Sequence, residues 1–148
     1  MDSVYSEVRK GLWGTNHVVI SCPELLNLNT NTIYTAKDKT ITDKTENRHQ
    51  ITLEGLEQEK LQINMDNASR IQMAHNKIKN LVAVGGISSG SNSVLNLAPN
   101  NQLQAANLDI PNKSLLIMND LVISALTYTF SDSAQLDLKG NALQILKK

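Results

Sequence analysis

Short apolar stretches recur at nearly regular intervals between residues 17 and 73, and this spacing restricts the fold more than any other feature. Most stretches alternate apolar and polar residues, which is the pattern of a short strand with one buried face. The interval is about eight residues at first and then ten, from Ile41 to Ile51, Leu61 and Ile71. Units this short bury their apolar face only against their neighbours, as in solenoids and interlocked fibres. The sequence therefore predicts an all-β chain built as a β-helix or β-solenoid of short strands.

The composition favours thin layers of aliphatic side chains over a core of large aromatic ones. Aromatic residues make up 3% of the 148 residues, whereas apolar residues make up 41%. Aromatic side chains usually dominate globular cores and binding hot spots. The formal net charge is zero, and a nucleic-acid-binding surface needs a basic patch or stripe. We therefore expect no nucleic-acid partner.

The sequence predicts neither export through the Sec pathway nor a membrane span. No apolar run approaches the roughly 18 residues of a spanning helix, and the N-terminal residues contain no apolar run of signal-peptide length. The single cysteine, Cys22, excludes an intrachain disulfide, and its phase with Val18 and Ile20 predicts a small buried side chain. We expect a protein made in the cytoplasm and then secreted by a dedicated apparatus or incorporated in a virion.

Changes in pattern and charge divide the chain into four predicted segments. These are an N-terminal attachment segment (1–16), a β-helical repeat shaft (17–84), a Gly/Ser-rich joint (85–93) and a second β-rich subdomain (94–148). A short amphipathic helix is predicted within the first segment, ending near Gly11 and Gly14. The segment from Gln135 to Ile145 is predicted to form two alternating strands around a corner at Gly140 and Asn141.

Residues 61–84 leave two structures open. Leu61, Ile63, Ile71 and Met73 continue the ten-residue strand interval. Apolar residues in the same segment also recur at spacings of three and four, which would place one stripe along a helix. Several asparagines in the segment are weak helix formers. Strands are therefore favoured for residues 61–73, and residues 74–84 stay open between strand and helix.

No group of residues with the spacing of a catalytic or metal site is present, so we predict no enzymatic activity, no cofactor and no metal site. Paired Cys/His ligands are absent. His17, His49 and His75 are far apart, and only a three-fold axis through one of them would assemble a metal site from three chains. The serines of residues 88–91 lack the strand–turn–helix context of a nucleophile elbow. The carboxylates of residues 54–59 lie in a charged segment that predicts a solvated face.

The segment Asn16–Ile33 (N-H-V-V-I-S-C-P-E-L-L-N-L-N-T-N-T-I) resembles the spike β-helix of contractile injection machines. In phage baseplate spikes and type VI secretion spike proteins, such strands give way to Thr-rich repeats, and Thr35–Thr45 looks like one of these repeats. The resemblance implies an intertwined homotrimeric prism that pierces a membrane and joins other subunits of a larger assembly. The family's Val/Ile-Gly repeat and His-x-His tip motif are absent. Asn76–Leu81 is similar to the neck motifs of trimeric phage fibres and adhesins.

The favoured hypothesis is a homotrimeric structural protein, because strands this short bury little surface alone and interlocked chains remove free sheet edges. The residues predicted to line the shared trimer core are Val18, Ile20, Leu26, Leu28, Ile33, Ile41, Ile51, Leu53, Leu61 and Ile63. One alternative is a monomeric β-solenoid or β-sandwich that serves as an adhesin or binding module. A carbohydrate-active β-helix enzyme is a third hypothesis, but it requires clustered carboxylates and aromatic sugar platforms that the sequence lacks.

Overall fold

The computed structural model describes residues 5–7, 17–30, 34–36, 39–41, 50–66, 69–85 and 92–147. The strands in these residues are β1 (Tyr5–Glu7), β2 (His17–Val19), β3 (Asn27–Asn29), β4 (Tyr34–Ala36), β5 (Lys39–Ile41), β6 (Gln50–Glu54), β7 (Glu57–Met65), β8 (Arg70–Ala74), β9 (Lys77–Gly85), β10 (Val94–Leu97), β11 (Gln102–Ile110), β12 (Leu115–Asn119), β13 (Ala125–Phe130) and β14 (Gln135–Lys139). A 3-10 helix, Gly140–Leu146, follows β14 and is called the cap helix below.

Two parallel five-stranded sheets form the body of the molecule, so the predicted β-solenoid is confirmed. The short-strand sheet has the order β14-β12-β10-β8-β6, and the long-strand sheet has the order β13-β11-β9-β7-β3. From β6 onward the chain alternates between the two sheets, so that each coil contributes one strand to each. Over residues 50–147, neighbouring strands of both sheets therefore belong to the same chain. The remaining described strands form two antiparallel pairs, β1 with β2 and β4 with β5.

The ten-residue interval in the sequence corresponds to half a coil. Ile51 of β6 lies beside Ile71 of β8 in the short-strand sheet. Leu61 of β7 lies beside Leu81 of β9 in the long-strand sheet. Successive apolar stretches thus enter opposite sheets of one core, and a stretch returns to its own sheet after 20 residues.

One continuous apolar core runs between the two sheets. Its fully buried side chains are almost all aliphatic, including Ile63, Met73, Leu97, Leu108 and Leu116, each with no exposed surface. The inward positions of neighbouring coils stack directly on one another, as the pairing of Leu97 with both Met73 and Met118 shows. Stacked layers of this kind explain why the chain builds a core with few aromatic residues.

Residues 61–85 contain three strands and no helix in their described part, so the helical alternative for this segment is wrong. The strand interpretation of residues 61–73 is confirmed by β7 and β8, and β9 covers residues 77–84 of those left open. The reason is the two-residue alternation that β7 and β9 share in their second halves, which buries Leu61, Ile63, Leu81 and Ala83. Pairing with neighbouring strands therefore outweighs the spacing of apolar residues that would suit a helix in this segment.

Two other local predictions are corrected. Tyr5–Glu7, within the segment predicted to begin with a helix, forms a strand paired with β2. The C-terminal segment was expected to form two strands, but after β14 the chain turns at Gly140 (φ 59) into the cap helix. Among the described residues no strand lies beyond β14 in its sheet, and the helix buries Ala142 against the core.

Each long strand bends after its second residue. In β7, β9 and β11 the inward alternation skips one position, so that Ile78 and Leu81 of β9 are both buried while Lys79 and Asn80 between them are exposed. A skipped position of this kind bends a strand in the same way as a bulge. The short piece before the bend forms a third side of the coil, which bears residues 57–59, 77–79 and 102–104.

A ladder of buried asparagines closes the corner between the short and the long strands. Asn76 accepts a hydrogen bond on Oδ1 from Leu56 N (2.9 Å) and donates from Nδ2 to Leu53 O (2.9 Å). Asn101 repeats the arrangement one coil later, since its Oδ1 accepts from Asn76 N (3.1 Å) and its Nδ2 donates to Met73 O (2.7 Å). Each side chain thereby satisfies backbone groups of the preceding coil that the turn leaves unpaired.

At this corner, a left-handed residue directly follows four of the five short strands of the solenoid. These residues are Gly55, His75, Asp120 and Gly140, after β6, β8, β12 and β14, and their φ angles lie between 53° and 77°. Glycine adopts this conformation without steric cost, whereas other residues are strained in it. His75 is held there by bonds to Asn100, with His75 N donating to Asn100 Oδ1 (3.0 Å).

We expect Gly55→Ala to lower the free energy of unfolding by about 1 kcal/mol. A Cβ at Gly55 would meet no atom within 4 Å, so the whole effect comes from the φ angle of 77°. Gly55→Asn is the matched control and should lose less, because asparagine tolerates the left-handed conformation better. Urea denaturation of the three proteins measures the difference. Equal stability of the alanine variant and the original protein would contradict the predicted strain.

Both sheets continue across the predicted joint at residues 85–93. Val94 of β10 pairs with Arg70 of β8, and Gln102 of β11 pairs with Lys77 of β9. The joint thus lies between two coils of one solenoid. The division of the chain into a shaft and a second subdomain stays a prediction.

Candidate assembly surfaces and a polar groove

The residues predicted to line a trimer core fall into different environments. Leu53, Leu61 and Ile63 are buried in the core of a single chain, with 8%, 1% and 0% of their surface exposed. Leu28 and Ile51 are partly buried against the same core. Burying these five side chains therefore requires no second copy of the chain.

Two of the other predicted core residues lie outside this core. Ile20 and Leu26 lie on the surface, 62% and 53% exposed. Ile33 lies outside the described residues, and for Val18 and Ile41 only the backbone strand is described. Cys22, predicted to be buried, is half-buried.

The segment that contains Ile20 and Leu26 is attached to the first coil by hydrogen bonds. Gln62 N donates to Leu26 O (2.9 Å), and β3 pairs in parallel with β7. Thr30 is buried beside Asp66 and Ser69, where its hydroxyl accepts from Asp66 N (2.8 Å). The segment is thus hydrogen-bonded to the solenoid while the side chains of Ile20 and Leu26 remain exposed.

Val19, Ile20 and Leu26 are exposed apolar residues within eight positions of the sequence, and we call them the N-terminal surface. Val19 is 68% exposed, slightly more than Ile20. Single exposed apolar residues are ordinary, whereas contiguous exposed apolar surface marks an interaction site.

A second apolar surface lies at the opposite end of the solenoid. Tyr128 and Leu136 occupy inward positions of the last described coil, yet they are 45% and 38% exposed because no described strand lies beyond β13 and β14. Leu143 and Leu146 of the cap helix and Val122 beside it are also exposed. The cap helix covers the end only in part, with a hydrogen bond from the Tyr128 hydroxyl to Ile145 O (3.3 Å). We call this the C-terminal surface.

A polar groove of about 810 Å³ runs along the third side of the coils. Its charged residues form two rows across neighbouring strands, with Lys77 Nζ 3.6 Å from Glu57 Oε1 and Lys79 Nζ 2.5 Å from Glu59 Oε1. Gln102 and Gln104 continue the two rows on the next coil.

The groove can exchange hydrogen bonds with a polar ligand but offers little else chemically. The four side chains of the two ion pairs are each more than half exposed, so each ion pair contributes at most about 1 kcal/mol. A carboxylic acid that donates a proton in glycoside hydrolysis is usually held in an apolar pocket, unlike Glu57 and Glu59. Their exposure agrees with the solvated face that the charge pattern predicts.

The described residues bring together no group of three His, Cys, Asp or Glu side chains able to hold a metal ion. Of the three histidines, His75 lies exposed at a corner beside Asn100. Only the backbone of His17 is described, and His49 lies outside the described residues. Within the same parts of the chain, no helix has the length and apolar character needed to cross a bilayer.

The groove and the C-terminal surface were not predicted from the sequence. The groove depends on the bend after residue 58, which appears in the sequence only as an irregular step in the alternation. The C-terminal surface involves the last apolar stretches of the described solenoid, and the outermost coil of a solenoid has a neighbour on only one side.

No protein-family model, curated protein or solved structure matches this chain.

Proposed function

We propose that the chain is a structural protein, a rigid β-helical shaft or spike element of a phage-tail-like or secretion-type injection apparatus, without enzymatic activity. The observation that carries the proposal is the uninterrupted stack of parallel coils around one apolar core. Such a stack bends little, because every coil is held to its neighbours by two sheets at once. The resemblance of residues 16–45 to injection-machine spikes supports the same proposal.

The proposed shaft acts as a homotrimer that joins other subunits and pierces a membrane. The N-terminal surface supports assembly, because Val19, Ile20 and Leu26 are exposed on a segment that is itself bonded to the first coil. Burying three such side chains between copies would remove much of their apolar surface from water, at about 25 cal/mol per Å². The copies would then associate side by side as separate solenoids, since the coils between residues 50 and 147 pair within one chain.

The second candidate function is a monomeric adhesin or binding module. Two observations favour it: each described coil after β6 closes within one chain, and the polar groove is open along the third side. The glutamines and ion pairs of the groove suit an uncharged polar ligand with many hydrogen-bonding groups.

The oligomeric state distinguishes the two functions, and we expect a trimer or a multiple of three copies by sedimentation equilibrium. The double variant Ile20→Asp/Leu26→Asp should sediment as a smaller species, because a buried carboxylate without a partner is costly. Val82→Asp, on the outer face of β9 and 36% exposed, is the matched control and should retain the trimer. A monomeric mass for the original protein would contradict the trimeric shaft and favour the binding module.

A further inference from the structure

Both sheets of the solenoid end at the C-terminal surface with a strand that has one partner. β13 pairs with β11 and β14 pairs with β12, and among the described residues no strand pairs with their outer edges. An edge strand presents unpaired N–H and C=O groups that can bind another strand. The exposed side chains of Leu136, Leu143 and Leu146 lie on β14 and on the helix that directly follows it. Free backbone groups and apolar surface therefore occur together at this end.

The charges of β14 favour one way of pairing this edge with a second copy of itself. In an antiparallel pair centred on Leu138, Asp137 of each copy lies opposite Lys139 of the other. Centring on Asp137 instead would place two like charges opposite each other, which destabilises a strand pair. In the favoured register Leu138 also meets its own counterpart on the core side of the sheet. The pairing is thus self-complementary, as a two-fold interface requires.

We propose that the C-terminal surface binds the C-terminal surface of a second copy, in a two-fold contact built on antiparallel pairing of β14. Lys139 Nζ lies 3.8 Å from Asp137 Oδ2 within one chain, and the two side chains are 67% and 44% exposed, so both can turn toward a partner strand. Two short strands alone make a weak contact. The exposed leucines of the cap helix supply the apolar area beside them. This contact joins two shafts end to end and does not depend on the trimer proposed above.

The test measures association by analytical ultracentrifugation in the Ile20→Asp/Leu26→Asp background, which removes association through the N-terminal surface. We expect a reversible dimer. Asp137→Lys should weaken it on the order of tenfold in Kd, because two attractive cross-strand pairs become repulsive. The double variant Asp137→Lys/Lys139→Asp restores both pairs in a two-fold contact and should recover the original Kd. Circular dichroism and thermal melting verify that each variant is folded.

Glu54→Lys is the matched charge reversal at the opposite end of the short-strand sheet and should leave the dimer unchanged. A loss of association in this variant equal to that of Asp137→Lys would overturn the proposal, because it would indicate that β14 pairs head to tail with β6 of the next copy. Failure of the double variant to restore the dimer would also overturn it, as would a monomeric background protein. Loss of the trimer in the earlier experiment affects only the N-terminal surface, so the two proposals fail separately.

Discussion

Replacement of Asn101 by alanine is expected to lower the free energy of unfolding by about 3 to 5 kcal/mol. The side chain is 4% exposed, and it satisfies two backbone carbonyls of the turn, Met73 O at 2.7 Å and Ala98 O at 2.8 Å. Its Oδ1 also accepts from the backbone and side-chain nitrogens of Asn76, both at 3.1 Å. Alanine would leave several of these groups buried without partners, and each such group costs about 1 to 3 kcal/mol. Urea denaturation followed by circular dichroism measures the loss.

Asn100→Ala is the matched control, because it makes the same change one residue earlier in the same turn. Asn100 is exposed and bonds to His75 at the surface, where water can replace it. We expect a loss below about 1 kcal/mol. Similar losses in the two variants would show that the buried ladder does not stabilise the corner as described.

Truncation of Leu108 to alanine is expected to destabilise the fold by about 2 to 5 kcal/mol. Leu108 has no exposed surface and lies in β11, between Ala83 of β9 and Tyr128 of β13. Neighbouring coils hold it from both sides, so the cavity cannot collapse easily. Thermal and urea denaturation should both report the change.

The control for this truncation is Leu143→Ala on the cap helix, where the same atoms are removed from a side chain that is 45% exposed. Its effect on unfolding should be under about 1 kcal/mol at protein concentrations too low for association. If Leu143→Ala were as destabilising as Leu108→Ala, the cap helix rather than the stacked layers would be the main source of stability.

The length of half a coil could be inferred from the sequence, because stretches that alternate apolar and polar residues recur at an interval of ten residues. Ile51, Leu61 and Ile71 are spaced by ten residues since the chain crosses the core once per half coil. The sequence did not reveal whether strands one coil apart pair within one chain or between different chains. Alternation identifies the buried face of a strand but not the chain that covers it.

The corners were harder to predict than the strands. Glycine is the residue expected at a left-handed position, as at Gly55 and Gly140, but His75 and Asp120 occupy this position in other coils. Their conformation is stabilised by surrounding bonds, such as that from Asn141 N to Asp120 Oδ1 (3.0 Å), which local propensity does not report. The cap helix was missed for a similar reason, because its residues alternate like a strand but have no sheet to join.

Residues 20–26 show that the same alternation of apolar residues does not guarantee the same burial. Ile20 and Leu26 have the same local alternation as Leu61 and Ile63, yet the first pair is exposed and the second pair is buried. The difference arises from position in the stack, since β7 lies between β3 and β9 whereas residues 20–26 lie at its margin. Burial in a solenoid depends on neighbours that are 20 or more residues distant in sequence.

The spacing between coils has a consequence for how such a protein can diversify. Arg70 lies opposite Val94, 24 residues further along, whereas Gln50 lies opposite Arg70 after 20. The additional residues fall between β9 and β10, and both sheets resume their pairing beyond them. Because lengthening a connection costs little entropy, inserted sequence between these two strands would leave the strand pairing of the core in place. An evolving or engineered shaft could therefore acquire a new recognition loop there while its length and stiffness are inherited intact.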